Sequence, residues 1–206
     1  MTTEELLKES YAADKQDVYF RDFLFEGKKN GYFVDCGSAD GLYKSNTFLL
    51  ERDLGWNGVC IEARENGAYS YEQCIENRTT KCFNHILSGE DNEDVYFHFE
   101  DTGSGIREGN PNSKTRSLSS ILKEANAPKE IDLLSMDIEG AEEPSLINFP
   151  FDEYDIRVVC VETPSQLLTD HLLNLGYERY RTINNWPDDT GYAFADNNDH
   201  LYVRGI

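Results

Sequence analysis

Short apolar runs that resemble buried strands alternate with helix-like segments along most of the chain. The runs "GYFVDCG", "GVCIEA", "IDLLSMD" and "RVVCVE" have the continuous apolar character of strands in a parallel sheet. Amphipathic segments such as "SNTFLLERDLGW" and "PSQLLTDHLLNLGY" lie between or after them and carry helix start and stop signals. Ser45 is the predicted N-cap of the first, which Gly55 ends, and Gly176 ends the second. This alternation predicts an α/β fold with a doubly wound, mostly parallel sheet.

The length and the N-terminal pattern predict how this fold is organised. The 206 residues suffice for one full core, and no Pro/Gly/Ser linker divides them. We therefore expect a single domain over 1–206, with N-terminal helices in 1–30 and the sheet-containing core in 31–206. A helical segment over 2–26 is predicted from a capping box and the apolar stripe that follows it.

Several segments between and after the main runs have weaker patterns. "KCFNHILS" predicts a third strand, "DVYFHFED" an additional strand in a hairpin, and "ERYRTINNW" and "HLYVRG" two strands near the end. The segment 102–115, "TGSGIREGNPNSKT", is a loop by composition. It is interpreted either as a surface connection or as a lid over a site, because long loops in compact domains are often functional.

The charge excludes several classes of partner. The net charge is −20, from 39 acidic and 19 basic residues spread along the chain. Such a surface repels phosphate backbones, so we expect no nucleic-acid partner and no binding to an anionic membrane surface.

No apolar run reaches the roughly 20 residues of a membrane span. The polar start lacks the features of a signal peptide, which predicts a cytoplasmic protein.

The cysteines and histidines show no metal-binding spacing. The five cysteines include no CxxC pair, and three lie in apolar strand-like runs where a thiol behaves as a small hydrophobic group. Buried, reduced thiols are expected, with no metal site. The four histidines are predicted to be structural or exposed.

A glycine-containing loop follows the first predicted strand, in "FVDCGSADG". Ligands of open α/β sheets bind outside the carboxyl ends of the strands, where this loop lies. The loop lacks the G-x-G-x-x-G pattern that holds a pyrophosphate, which disfavours a nicotinamide-dependent oxidoreductase. Asp35 at the strand end would repel a pyrophosphate and would tolerate an ammonium or a sulfonium.

A second acid ends the second predicted strand. Glu62 follows Gly41 by about 20 residues, the spacing at which a carboxylate accepts hydrogen bonds from ribose hydroxyls. Together the two strand ends indicate a nucleoside ligand with a cationic, non-phosphate tail. S-adenosylmethionine fits that description.

These motifs resemble those of a known family. D-x-G-x-x-x-G followed by an acid at the end of strand two resembles the class I S-adenosylmethionine-dependent methyltransferases. The longer blocks "GYFVDCGSADGLYKSNTFLLERDLGWNGVCIEA" and "IDLLSMDIEGAEEPSLINFPFDEYDIRVVCVE" are similar to the FkbM-type branch, from about Gly31 to Glu162. The chain departs from that pattern where Cys36-Gly37-Ser38-Ala39 replaces the common Val-Gly-Ala-Asn, and at Ala63, where a proline often stands.

The resemblance implies a Rossmann-like sheet, an S-adenosyl-L-methionine cofactor and a set of site residues. The methionine end of the cofactor would lie against Asp35, Gly37, Ser38 and Gly41. Ser45 and Asn46 would lie beneath it, where free N–H groups of the next helix could bind its carboxylate. Glu62 would hold the ribose, Ser88 would lie near the adenine, and Asp137 would face both cofactor and acceptor.

The predicted chemistry is methyl transfer to an acceptor held in line with the methyl group. If the acceptor is a hydroxyl, a general base assists, and Asp137, Glu139 and Glu162 are the candidates. O-methylation of a small molecule or a glycan rests on the resemblance.

Other interpretations of these residues remain: Asp35 could cap its own turn, Glu62 could be an ordinary strand-end acid, and "DIEGAEE" could be a charged helix start. A non-catalytic binding or scaffolding protein with the same fold is the alternative function.

Overall fold

The computed structural model describes residues 8–100, 103–182 and 199–205. The helices are α1 (Gln16–Tyr19), which continues as a π-helical turn (Phe20–Leu24), α2 (Phe48–Leu54), α3 (Tyr71–Asn77), α4 (Leu118–Ala125), α5 (Glu142–Ile147) and α6 (Gln166–Asn174). The strands are β1 (Tyr32–Cys36), β2 (Asn57–Glu62), β3 (Lys81–Asn84), β4 (Ile86–Ser88), β5 (Asp94–His98), β6 (Gly105–Arg107), β7 (Ser113–Ser117), β8 (Glu130–Met136), β9 (Asp155–Glu162), β10 (Glu178–Thr182) and β11 (Asp199–Val203).

Within the described ranges, seven strands form a large sheet in the order β10-β11-β9-β8-β1-β2-β3. The pairings from β3 across to β9 are parallel, whereas β11 pairs antiparallel with both β9 and β10. Strands β4, β7, β5 and β6 form a second sheet, which is also mixed. The predicted α/β class is confirmed. The prediction of a mostly parallel sheet is not confirmed: both sheets are mixed, because β11 and β5 add antiparallel pairings.

Helices cover both faces of the large sheet. Alternate strand residues point to opposite faces: Val34 and Val159 pack in one core cluster with α4 and α6, and Phe33 and Val158 pack in the other with α2. The N-terminal segment shares the second cluster, where Phe20 is fully buried. The predicted helical segment is confirmed over α1 and the π-helical turn, whereas residues 8–15 form turns and bends instead of helix. Residues 2–7 of that prediction lie outside the described residues.

The helix boundaries follow from local capping. Ser117 and Ser165 begin α4 and α6, and each side-chain oxygen accepts a backbone N–H three residues later. Gly55, predicted to end its helix, is the left-handed C-cap of α2 with φ +66°. Gly176 lies just beyond α6 with φ +87°.

The structure corrects two of the sequence predictions for the middle of the chain. The segment 102–115 is not a loop throughout: β6 and the start of β7 lie within it, and both pair with the predicted hairpin strand β5. "KCFNHILS" is not one strand, because β3 joins the large sheet and β4 the second sheet. Of "ERYRTINNW", 178–182 form β10, and the rest lies outside the described residues.

Of the helices that the structure describes, none is long and apolar enough to cross a membrane.

Candidate ligand cleft at the strand ends

A cleft opens beyond the carboxyl ends of the central parallel strands, and we call it the strand-end cleft. It encloses about 900 Å³ including its open mouth. Its walls combine backbone of the β1 and β8 exits with side chains from β2, β4 and the second sheet. The lining residues include Gly37, Ala39, Tyr43, Lys44, Glu62, Ala63, Tyr69, His85, Ile86, Leu87, Phe97, Ser104, Ile106, Asp137 and Glu139.

The glycine loop after β1 is packed against the exit of β8. The N–H groups of Gly37 and Ser38 both donate to the carbonyl of Ile61, at 2.9 and 3.1 Å. Gly37 has φ +84°, and a Cβ placed on it would lie 1.7 Å from the carbonyl oxygen of Asp137. The backbone contact between these two strand ends therefore requires a residue without a side chain at position 37.

Asp35 lies beneath the glycine loop, and its side chain is buried. Its carboxylate accepts a 2.6 Å hydrogen bond from Thr47 Oγ1 and lies 3.8 Å from the guanidinium of Arg78. Burial raises the pKa of Asp35, and the positive charge of Arg78 opposes that rise. The carboxylate thus supports the loop from below, and direct contact with a ligand stays a prediction.

Ser45 and Asn46 also support the loop from within the protein. Helix α2 begins at Phe48 with Thr47 as N-cap, two residues later than the predicted start at Ser45. The Ser45 hydroxyl oxygen nevertheless accepts the N–H groups of Thr47 and Phe48, at 3.3 and 3.1 Å. These two N–H groups are therefore occupied rather than free for a ligand carboxylate. Asn46 donates a 3.0 Å hydrogen bond to Ser135.

Glu62 reaches the strand-end cleft from the end of β2. Its two carboxylate oxygens accept backbone N–H groups, from Ala39 at 2.9 Å and from Arg64 at 2.8 Å. Burial raises the pKa of Glu62 to about 7, although both hydrogen bonds oppose the rise. Each oxygen keeps a lone pair for a further donor, so Glu62 can hold the loop and bind a hydroxyl at once.

The other predicted cofactor residues are mostly behind the cleft wall. Ser38 is 2% and Ser88 7% exposed, and the wall is formed by their neighbours Ala39 and Leu87. Gly41 has φ +79°, and a Cβ there would lie 2.6 Å from Cγ of Arg78. The loop therefore needs a glycine at 41 for packing.

Several cleft residues were missed by sequence reasoning. Tyr43 and Tyr69 stack with ring centroids 4.4 Å apart on one wall. Leu87, Phe97 and Ile106 provide an apolar wall from the second sheet and its β4 edge. Leu87 and Phe97 lie in predicted strands, whereas Ile106 lies in the segment predicted as a loop. Neither pattern shows that a second sheet meets the ends of the first.

Acidic side chains gather where β8, β9 and β11 meet. One carboxylate oxygen from each of Asp137, Glu142 and Glu162 lies within 4.8 Å of the others. Solvent reaches Asp137 from the cleft, but protein surrounds most of its carboxyl group. This burial, followed by the nearby charge of Glu162, raises the pKa of Asp137 well above the usual range. Buried Asp199, paired with Gln16, has a pKa raised to about 6 by its burial.

The remaining acids of the "DIEGAE" segment have different roles. Glu142 is buried, and its carboxylate accepts N–H groups of Ile138 and Gly140 at 2.9 Å, which closes the turn before α5. Glu139 is exposed at the cleft, and partial burial followed by the charge of Glu162 raises its pKa. The Arg107 side chain donates to the Glu139 carbonyl at 3.0 Å, which links the second sheet to this turn.

The fold and the cleft define an α/β protein that presents an open cleft and an acidic group together at the ends of its central strands. The methyltransferase FkbM domain matches residues 35–181. The chain belongs to the FkbM methyltransferase family, and the predicted resemblance is confirmed. A comparison with curated proteins found no match. Family membership supports methyltransferase activity.

Proposed function

We propose that the protein is an S-adenosylmethionine-dependent methyltransferase that methylates an oxygen of a small molecule or a glycan. The observation that carries the proposal is the shared strand-end cleft, which Gly37 and Glu62 line together with Asp137. A site for a cationic nucleoside and a candidate base thus lie in one cavity. The strand order and the two sheet faces covered by helices are compatible with a Rossmann-like methyltransferase.

The donor set of the cleft fits the proposed cofactor. Glu62 offers carboxylate oxygens to a ribose diol, and the neighbouring apolar side chains of Ile86 and Leu87 suit a flat base. The acids Asp137 and Glu139 suit a positively charged sulfur at the other end. When bound, the cofactor supplies a methyl group on a cationic sulfur, which is an activated leaving group.

Asp137 is proposed as the base for a hydroxyl acceptor. With the methyl group supplied by the bound cofactor, the Asp137 carboxylate would accept the proton that the acceptor hydroxyl loses. A carboxyl whose pKa is raised toward neutrality is a better proton acceptor than an ordinary aspartate. A positive charge in the cleft favours the ionised form of Asp137 when the site is filled.

Cofactor identity is tested by thermal melting. S-adenosylmethionine or S-adenosylhomocysteine at about 100 times its dissociation constant stabilises the native state by about 2.7 kcal/mol. For a chain of this size we expect a rise of about 5–10 °C in melting temperature. NAD and NADP should leave the melting temperature unchanged. A shift with NAD and none with either S-adenosyl compound would contradict the proposal and favour another ligand class.

The raised pKa of Glu62 predicts that cofactor binding is linked to proton release. The folded-state pKa of about 7 lies above the ordinary value of a glutamate, so Glu62 is largely protonated at pH 6.5. A ribose diol that donates to this group favours the carboxylate. Binding at pH 6.5 should therefore release up to about three quarters of a proton from Glu62, and affinity should rise as the pH increases through 7.

Titration calorimetry in buffers with different ionisation enthalpies measures this release. Asp137 and Asp199 also have raised pKa values, so Glu62→Gln is the matched comparison. The variant should release fewer protons at pH 6.5 than the parent, and the two should agree at pH 8.5, where Glu62 is already ionised. Equal release by parent and variant at both pH values would rule out Glu62 as the linked group.

A further inference from the structure

Three of the five cysteines converge at one place in the fold. Cys60 lies on β2, Cys82 is its direct partner in register on the edge strand β3, and Cys74 lies on α3, which packs across both strands. The three Sγ atoms lie within 4.8 Å of one another, and those of Cys74 and Cys82 are 3.5 Å apart. This group, the thiol cluster, is formed by three separate elements.

The spacing of the thiol cluster matches that of thiolates around one metal ion. A zinc–sulfur bond of about 2.3 Å places two ligand sulfurs about 3.8 Å apart in a tetrahedral site and about 4.0 Å apart in a trigonal one. The observed separations, from 3.5 Å to at most 4.8 Å, bracket these values. An ion could be bound with sub-ångström movements of the side chains.

The surroundings of the thiol cluster supply one positive charge and allow an ion to enter. The buried side chain of Arg78 packs beside Cys74: a Cβ added to Gly41 would lie 2.6 Å from Cγ of Arg78 and 3.2 Å from Sγ of Cys74. Arg78 is already paired with Glu51 at 2.5 Å, so its positive charge can neutralise only part of the negative charge of the thiolates. The negative charge that remains favours a divalent over a monovalent ion. Cys60 and Cys74 are fully buried, whereas Cys82 is half-buried at the sheet edge.

We propose that Cys60, Cys74 and Cys82 bind one thiophilic divalent ion of the zinc type, with three thiolate ligands and a fourth position open toward solvent at the edge of β3. Soft thiolate ligands select such ions over Mg²⁺ or Ca²⁺. The ion would fix α3 to β2 and β3 directly behind the glycine loop, since Ser38 Oγ lies 3.6 Å from Cys74 Sγ. Sequence reasoning expected no metal site because the ligand spacing contains no CxxC.

Cadmium titration of the reduced, metal-free protein tests the site. Cd²⁺ bound by thiolates gives an ultraviolet charge-transfer band, whereas Cd²⁺ bound by the many surface carboxylates gives none. The band should saturate at one equivalent, a large excess of Zn²⁺ should compete with Cd²⁺ for the site, and Zn²⁺ should raise the melting temperature. No band, or a band that requires several equivalents, overturns the proposal. Binding of Cu⁺ without binding of Cd²⁺ overturns the divalent assignment.

Single cysteine variants assign the ligands. Cys82→Ala removes the most exposed thiol of the cluster. Replacing a residue that only contacts a metal ligand lowers metal affinity by roughly 10–100-fold, so the loss of a ligand itself should weaken Cd²⁺ binding by more than that. Cys160→Ala is the matched control, because it removes a buried thiol on β9, with β1 and β8 between it and the cluster. Its Cd²⁺ affinity should equal that of the parent. If Cys82→Ala folds, as judged by circular dichroism, and binds with parental affinity, the assignment fails. Cys74→Ser repeats the test on the helix.

Discussion

Gly37→Ala is expected to lower the melting temperature by about 6–12 °C and to abolish cofactor binding. Two effects lower the free energy of unfolding. An alanine at φ +84° costs about 1–2 kcal/mol because of its left-handed backbone conformation. Its Cβ would also lie 1.7 Å from the Asp137 carbonyl oxygen, and relieving such a contact with rigid backbone costs about 1–3 kcal/mol more. A total of about 3 kcal/mol corresponds to the stated shift for a chain of this length.

Gly176→Ala separates the two costs. Gly176 has φ +87°, nearly the value at Gly37, but a Cβ there meets nothing within 4 Å. Gly176→Ala carries only the conformational cost of about 1–2 kcal/mol and should lower the melting temperature by about 2–8 °C, less than Gly37→Ala, with cofactor affinity unchanged. Scanning calorimetry measures both variants. If the two melt at the same temperature, the approach of the β1 loop to β8 does not determine the need for glycine.

The position of the strand-end cleft along the chain could be predicted because each apolar run ends in a polar residue. Glu62 and Asp137 follow buried strands, and parallel strands bring their carboxyl ends to one edge of the sheet. The structure places both at the strand-end cleft. The α/β class followed from the same alternation of runs.

Which neighbours of these residues point into the cleft could not be predicted. A shift of one residue along a strand turns a side chain to the opposite face, and Asp35 is buried under the loop while the next strand-end acid, Glu62, reaches the cleft. Arg78, which approaches Asp35, lies more than forty residues further along the chain. The sequence contains no local signal for that pairing.

The second sheet was missed for a related reason. Strands β6 and β7 are short, polar and separated by "EGNPN", so their composition predicts a loop. They form strands because β5 offers a pairing edge from a distant part of the sequence. Through Ser104 and Ile106 this sheet forms one wall of the cleft. Whether that wall closes over a bound ligand as a lid stays a prediction.

Asp137→Asn is expected to depress turnover about a hundredfold or more, while affinity for S-adenosylhomocysteine, whose sulfur is neutral, stays within a few-fold. The amide has the shape of the carboxyl group and can still bond to a carboxylate such as Glu162, but it cannot take a proton from the acceptor, and loss of general base catalysis costs about 10²–10⁴ in rate. The measurement is single-turnover transfer from methyl-labelled S-adenosylmethionine, with the acceptor identified as the labelled product from cell extract.

The pH dependence distinguishes a base from a residue that merely shapes the cleft. Because burial and Glu162 raise the pKa of Asp137, the parent should be slow at low pH, where the group is protonated, and should speed up as the pH rises through that pKa. Asp137→Asn should lose this rise. Asp152→Asn makes the same charge change at an exposed residue in the turn after α5 and should keep both the rate and the pH profile of the parent.

If Asp137→Asn turns over normally with the parental pH profile, the proton passes to another group. Glu139, exposed in the cleft, and Glu162, at the end of β9, are then the residues to replace.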